Sequence, residues 1–214
     1  MSSHAAAAYP AIKPGLSKDV LAEALIARFG LVRDARDAWD LTLLAPRERL
    51  IEVVTALRDD AAWQFDTLID LAGIDYLSYP GHDGPRFGVI YLFKSTVFNH
   101  RVKIKILLEE DDVAVPTLTG LYKIADWMER EVFDQIGVTF TGHPNPKRLL
   151  NHHEFVGHPL RKDYPCQKRQ KLSMNDPLID QMEARLASFG YTVLDRGEAQ
   201  IAAGITVKGE GSVK

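Results

Sequence analysis

Apolar residues first fall into a rhythm at Leu21, Leu25 and Phe29, one every four positions. That spacing puts them on one helical face. Ser17 offers a capping hydroxyl just before them and Gly30 a stop, so the pattern predicts a helix over 17–29. The period then shortens. Trp39, Leu41 and Leu43 fall on one side of a strand predicted over 38–44. Pro46 suits a first helical turn, and Leu50, Ile51, Val54 and Leu57 give the helix after it an apolar stripe. A second helix is predicted over 61–72, ended by Gly73. A strand over 74–79 follows, before the turn residues Pro80, Gly81, Asp83 and Gly84.

The densest apolar run, FGVIYLFKS at 87–95, reads as a central strand. Over 100–108, Val102, Ile104 and Ile106 alternate with Arg101, Lys103 and Lys105, which predicts an antiparallel partner with one solvated face. The acidic run EEDD at 109–112 marks a solvated turn, and Pro116 ends that segment. A long helix is predicted over 121–135, with Ile124, Trp127, Met128 and Val132 buried and Gly137 as its cap. Its acids Glu129, Glu131 and Asp134 read as a charged face. A short strand is predicted over 138–140. Beyond Pro177, Leu178, Met182 and Leu186 keep helical register. The predicted fold class is α+β, a mixed or antiparallel sheet packed with helices. It occupies 17–141, after a flexible leader over 1–16. An extended C-terminal arm over 142–214, with a short helix, is expected to dock on partner subunits.

Composition narrows the chemistry. The chain's 214 residues suffice for one domain and an extension. Basic residues number 26 and acidic 29, a net charge of -3, so no global field favours nucleic acid or anionic lipid. The one cysteine, Cys166, excludes an internal disulfide and a four-cysteine iron–sulfur or zinc site built from this chain. No run reaches the roughly 18 apolar residues needed to span a bilayer, and the N-terminus lacks the pattern of a secretory signal.

His143, His152, His153 and His158 lie close together, with Cys166 behind them. A metal- or thiol-dependent hydrolase could be built on such a cluster. Yet no HExxH is present, no carboxylate stands at a ligand interval, and nothing supplies an orienting group for a Cys–His nucleophile. There is no GxGxxG or Walker loop for a nucleotide. The basic cluster Arg161, Lys162, Lys168, Arg169 and Lys171 has only Tyr164 as a stacking residue. An acidic protein surface suits it better than nucleic acid. The stretch GHPLRKDYP at 157–165 is the most structured of these signals. Pro159 and Pro165 exclude helix and hold His158 and Tyr164 extended, while Gly157 permits a sharp entry. Such a strap is hard to bury in its own core. With Arg161 for a partner's carboxylate and Tyr164 as an amphipathic anchor, it suits a permanent interface.

The stretch WMEREVFDQIGVTFTGHPNPKRLLNHHEFVGHPLRKDYP at 127–165 resembles the signature region of the thirty-kilodalton subunit of the proton-pumping NADH:quinone oxidoreductases, respiratory complex I. The residues that carry the resemblance are Glu129, Arg130, Glu131, Phe133, Asp134, Gly137, Phe140, His143, Pro144, Arg148, Leu149 and Leu150, then Gly157, His158, Pro159, Leu160, Arg161, Lys162, Asp163, Tyr164 and Pro165. It implies a peripheral subunit on the cytoplasmic or matrix side of the membrane, which it meets only through the complex. The implied partners are the quinone-site subunit and an iron–sulfur subunit of the same complex, with His143, Pro144, Arg148 and 157–165 at the interface. It also implies no catalytic residue, metal or cofactor in this chain, since FMN, iron–sulfur clusters and quinone belong to other subunits. The equivalent subunit of a membrane-bound hydrogenase or another donor-driven complex would carry the same signature.

Overall fold

The computed structural model describes residues 16–37, 40–167, 170 and 177–190. Helix α1, Lys18–Phe29, forms as its pattern predicts. The Ser17 hydroxyl accepts from the Val20 N–H, Gly30 ends the helix in a left-handed conformation, and Leu21, Leu25 and Phe29 are buried. A two-residue strand, β1 (Val32–Arg33), precedes β2 (Thr42–Leu44). Trp39 lies outside the described residues. Helix α2, Leu50–Asp59, follows a single 3-10 turn behind Pro46 and buries Leu50, Val53, Val54 and Leu57, while Ile51 is exposed.

The helix predicted over 61–72 does not form. Residues Thr67–Asp75 are strand β3, which pairs antiparallel with β4 (Phe87–Lys94). The cause of the error is visible. The register shifts between Leu68 and Asp70, so Leu68 and Leu71 both turn inward, three positions apart. A β-bulge thus imitates helical spacing. The strand predicted over 74–79 ends at Asp75, and the chain turns through Ser78 with φ 59.

β4 and β5 (Arg101–Leu108) form the centre of a five-stranded mixed sheet, in the order β1-β2-β5-β4-β3. The pair β2–β5 is parallel and the others are antiparallel. Phe87, Val89, Tyr91 and Phe93 stand opposite Leu108, Ile106, Ile104 and Val102, and all eight are buried in one core with residues of α1 and α2. The opposite face is less wet than its alternation predicts. Lys105 is buried there, with its ammonium 3.1 Å from Asp34 and 4.9 Å from the centre of the Tyr76 ring.

Two short parallel strands, β6 (Ala114–Pro116) and β7 (Thr139–Thr141), flank helix α3, Ala125–Ile136. α3 packs on β3 so closely that a Cβ on Gly73 would stand 2.8 Å from Val132 and 2.9 Å from Ile136. Its buried face is the predicted one only in part: Val132 is buried and Met128 packs, half-buried, against the core. Ala125, Glu129, Val132, Asp134 and Ile136 are buried, whereas Ile124 and Trp127 are exposed. A last helix, α4 (Pro177–Ser188), has exposed Met182 and Leu186. Among the described residues, no helix is long and apolar enough to cross a membrane.

Candidate docking surface

The end of α3 organises the segment over 148–161. A helix leaves its last carbonyls without intrahelical donors, and its dipole favours positive charge there. The last turn of α3 contains no basic residue. The donors come from the GHPLRKDYP strap. His158 Nδ1 donates to the Asp134 carbonyl at 3.1 Å, the Leu160 N–H to Gln135 at 3.0 Å, and Arg161 Nε to Ile136 at 2.6 Å. Gly137 closes the helix with φ 87, its N–H shared between Val132 and Phe133. A Cβ at Gly137 would lie 2.5 Å from the Arg161 guanidinium and 2.6 Å from the His158 ring, so glycine is required by both backbone and neighbour. Burial, aided by the Arg161 charge, pushes the His158 pKa down against the pull of the Asp134 carbonyl.

The strap therefore lies against its own domain, and several of its backbone groups find partners there. Its far end is staked on the sheet. The Lys162 N–H donates to Asp75 at 2.8 Å, Arg86 bonds Asp75 at 3.0 Å and Asp163 at 2.9 Å, and the Arg161 guanidinium lies 4.9 Å over the Phe87 ring. Tyr164 stacks on Phe155 at 5.9 Å and covers Gly157. Arg161 and Tyr164, expected to reach toward a partner, spend these groups inside the molecule.

A second anchor lies upstream. Asp134, read from the sequence as part of a charged face, is wholly buried. Its Oδ2 accepts from the backbone N–H groups of Leu149, Leu150 and Asn151 at 3.1, 2.8 and 2.8 Å. Its Oδ1 accepts from Arg148 at 2.6 Å and the Asn151 amide at 3.0 Å. Burial alone would raise its pKa. The N–H of Asn151, the Arg148 guanidinium and the remaining donors outweigh that and hold it at about 2. Glu129, assigned to the same face, is also buried. It accepts from the Thr117 hydroxyl and the Leu118 N–H, and these two donors do not offset burial, so its pKa is raised.

The four histidines do not gather at one point, although the rings of His152 and His153 lie 4.2 Å apart. His143 accepts from the Asn145 N–H on Nδ1 and donates from Nε2 to the Asp126 carbonyl. His158 caps α3, while His152 and His153 are exposed. Cys166 is exposed. Among the described residues, no three His, Cys, Asp or Glu side chains converge as metal ligands would.

The pinned segment turns large aliphatic side chains outward among polar ones. Leu150 is 65% exposed, Val156 65% and Leu160 60%. Pro144, Lys162 and Asp163 are also exposed. Leu160 belongs to the strap named from the sequence. Val156 was not singled out from the sequence, and Leu150 was singled out only as part of the signature. Trp127, 56% exposed, stacks under Arg130 at 5.4 Å, and Arg130 holds the Lys147 and Arg148 carbonyls. Large aliphatic side chains held rigidly in water are the composition of an interface core rather than of a catalytic cleft.

Comparison with known proteins identifies the family. The family model for "Respiratory-chain NADH dehydrogenase, 30 Kd subunit" matches residues 43–170. The chain is 39% identical over 174 residues to the corresponding subunit of the NADH-quinone oxidoreductase of Caulobacter sp. (strain K31), covering 79% of this chain and 76% of that one. It is 47% identical over 146 residues to the same subunit of Mesorhizobium japonicum, covering 68% and 69%. Among solved structures, the trypsin-resistant fragment of Nqo5 superposes with a TM-score of 0.54 at 32% identity, over 59% of this chain and 97% of the fragment. A chain of an archaeal membrane-bound sulfane sulfur reductase shares the fold, with a TM-score of 0.54 at 18% identity over 84% and 94%. From its helix-end signature to its overall fold, this chain belongs to the family of the 30 Kd subunit of respiratory-chain NADH dehydrogenase.

Proposed function

We propose that this chain is a non-catalytic, peripheral-arm subunit that docks on the quinone-site subunit of its complex, close to an iron–sulfur subunit. Its part in electron transfer from NADH through FMN and iron–sulfur clusters to quinone, and in the coupled proton translocation, is to hold those subunits together. The complex faces the cytoplasm or matrix, and this chain meets the membrane only through its partners. The observation that carries the reading is the exposure of Leu150, Val156 and Leu160 on a segment pinned to α3 and to Asp75. A preordered apolar surface binds without the cost of ordering itself. One cysteine in the whole chain leaves the iron–sulfur clusters to other subunits.

The test is purification of the tagged chain from membranes in mild detergent, with identification of everything that co-elutes. The quinone-site and iron–sulfur subunits are expected with the wild-type chain and are expected to be lost with Leu150→Asp/Leu160→Asp. Both side chains face solvent, so the fold should survive. Unchanged recovery with that double variant would overturn the reading. A flavoprotein in the eluate identifies NADH as the donor, as the relatives' names suggest. Its absence would favour a complex driven by another donor.

A further inference from the structure

No helix or strand is present among the described residues between Thr141 and Pro177, yet the docking surface lies there. What shapes its first half is one carboxylate. Three successive backbone N–H groups, from Leu149 to Asn151, converge on Asp134 Oδ2. Such a nest of donors favours an anion. Arg148 extends the anchor. Its Nη1 holds Asp134 Oδ1 at 2.6 Å and its Nη2 holds the Gly157 carbonyl at 3.0 Å, one residue beyond Val156. One chain of hydrogen bonds thus runs from the α3 carboxylate to both the Leu150 turn and the entry of the strap. Asp134 itself has no exposed surface with which to touch a partner.

We infer that Asp134 is a positioning residue for assembly: without contacting the partner, it sets the partner's affinity by fixing Leu150, and through Arg148 the Val156 segment, in the bound geometry in advance. The inference rests on the docking reading above. An asparagine at this position keeps the shape but cannot serve the site. In one amide orientation its NH2 faces three backbone donors, and in the other it faces Arg148 and Asn151. Either way donors oppose donors, the loop loosens, and binding must then order it.

The test uses the assembled complex, into which the tagged full-length chain is expressed as wild type, Asp134→Asn, Arg148→Gln or Leu150→Asp/Leu160→Asp. Exchange of the bound chain against excess wild-type chain gives its dissociation rate. Hydrogen exchange of the released full-length chain, read by mass spectrometry, gives local order. For Asp134→Asn the expected result is about tenfold faster dissociation, with faster exchange at 149–151 and unchanged protection of β4 and β5. Loosened amides with wild-type dissociation would overturn the inference. Loss of protection throughout the sheet would make Asp134 a folding residue and overturn it as stated, unless Arg148→Gln, with its sheet intact, dissociates faster. Retention of the Leu150→Asp/Leu160→Asp chain would instead reject the docking surface itself, so the two failures are separable.

Discussion

Glu129 and Asp134 stand on the same helix, both wholly buried, and their carboxyls are displaced in opposite directions. The difference lies in the number of donors. Glu129 has the Thr117 hydroxyl and the Leu118 N–H, too few to offset burial. Asp134 has five donors, one of them the Arg148 guanidinium.

Opposite shifts give opposite pH dependence. Asp134 binds its proton more weakly folded than unfolded. Its contribution to stability is therefore complete above the ordinary value of 3.8 and is lost as pH falls through about 2. Glu129 binds its proton more tightly when folded, so its contribution declines as pH rises from 4.5 through its raised pKa. Urea titrations of the full-length chain across that range should show Glu129→Gln abolishing the decline on the less acid side. Asp134→Asn should flatten the loss on the acid side. An unchanged profile in either variant refutes the corresponding assignment.

Gly137→Ala should destabilise the chain by about 2 kcal/mol or more, because the left-handed backbone and the collision with His158 and Arg161 act together. The Leu160 amide, which donates to Gln135, should lose exchange protection before those of β4 do. A thermal midpoint equal to wild type would show that the strap does not rest on the helix end.

The Tyr91 hydroxyl is buried without a hydrogen-bond partner, under a raised pKa caused by burial and the neighbouring Glu129 charge. Removing an unsatisfied buried group costs nothing in bonds. Tyr91→Phe is therefore expected to stabilise the fold by about 1 kcal/mol, measurable by denaturant midpoint. Destabilisation of that size would mean the hydroxyl has a partner.

Arg86 joins Asp75 to Asp163. Arg86→Ala leaves Asp75 buried with two backbone donors, Leu77 and Lys162. A loss of about 3 kcal/mol is expected, with faster exchange around residue 162. Arg86→Lys should recover only part of it, because an ammonium lacks the planar fork with which Arg86 holds both oxygens of Asp75 through Nε and Nη2.

The elements legible in the sequence are those whose period is local. Helix α1, with its Ser17 and Gly30 caps, and the strands β4 and β5 needed nothing from elsewhere in the chain. β3 was misread because a bulge reproduces helical spacing. The face of α3 was misread in part, although Val132 and Met128 were placed correctly, because two acids in the apolar phase were assigned to solvent and an exposed tryptophan to the core. A signal was present even so. An acid near the end of a helix opposes its dipole. Asp134, with no basic residue beside it in that turn, called for donors from elsewhere in the chain. The RLLN sequence supplies them. That GHPLRKDYP would cap α3 was not legible, since its acceptors exist only once the helix is formed.

That last dependence has a consequence for biogenesis. Carbonyls spaced to receive His158, Leu160 and Arg161 are a property of a wound helix. An unfolded or half-folded chain has no such row and cannot display the apolar surface in its finished shape. On the docking role proposed above, the contact that admits this subunit to its complex also certifies maturation, since a copy in which α3 is not wound has no finished surface to offer.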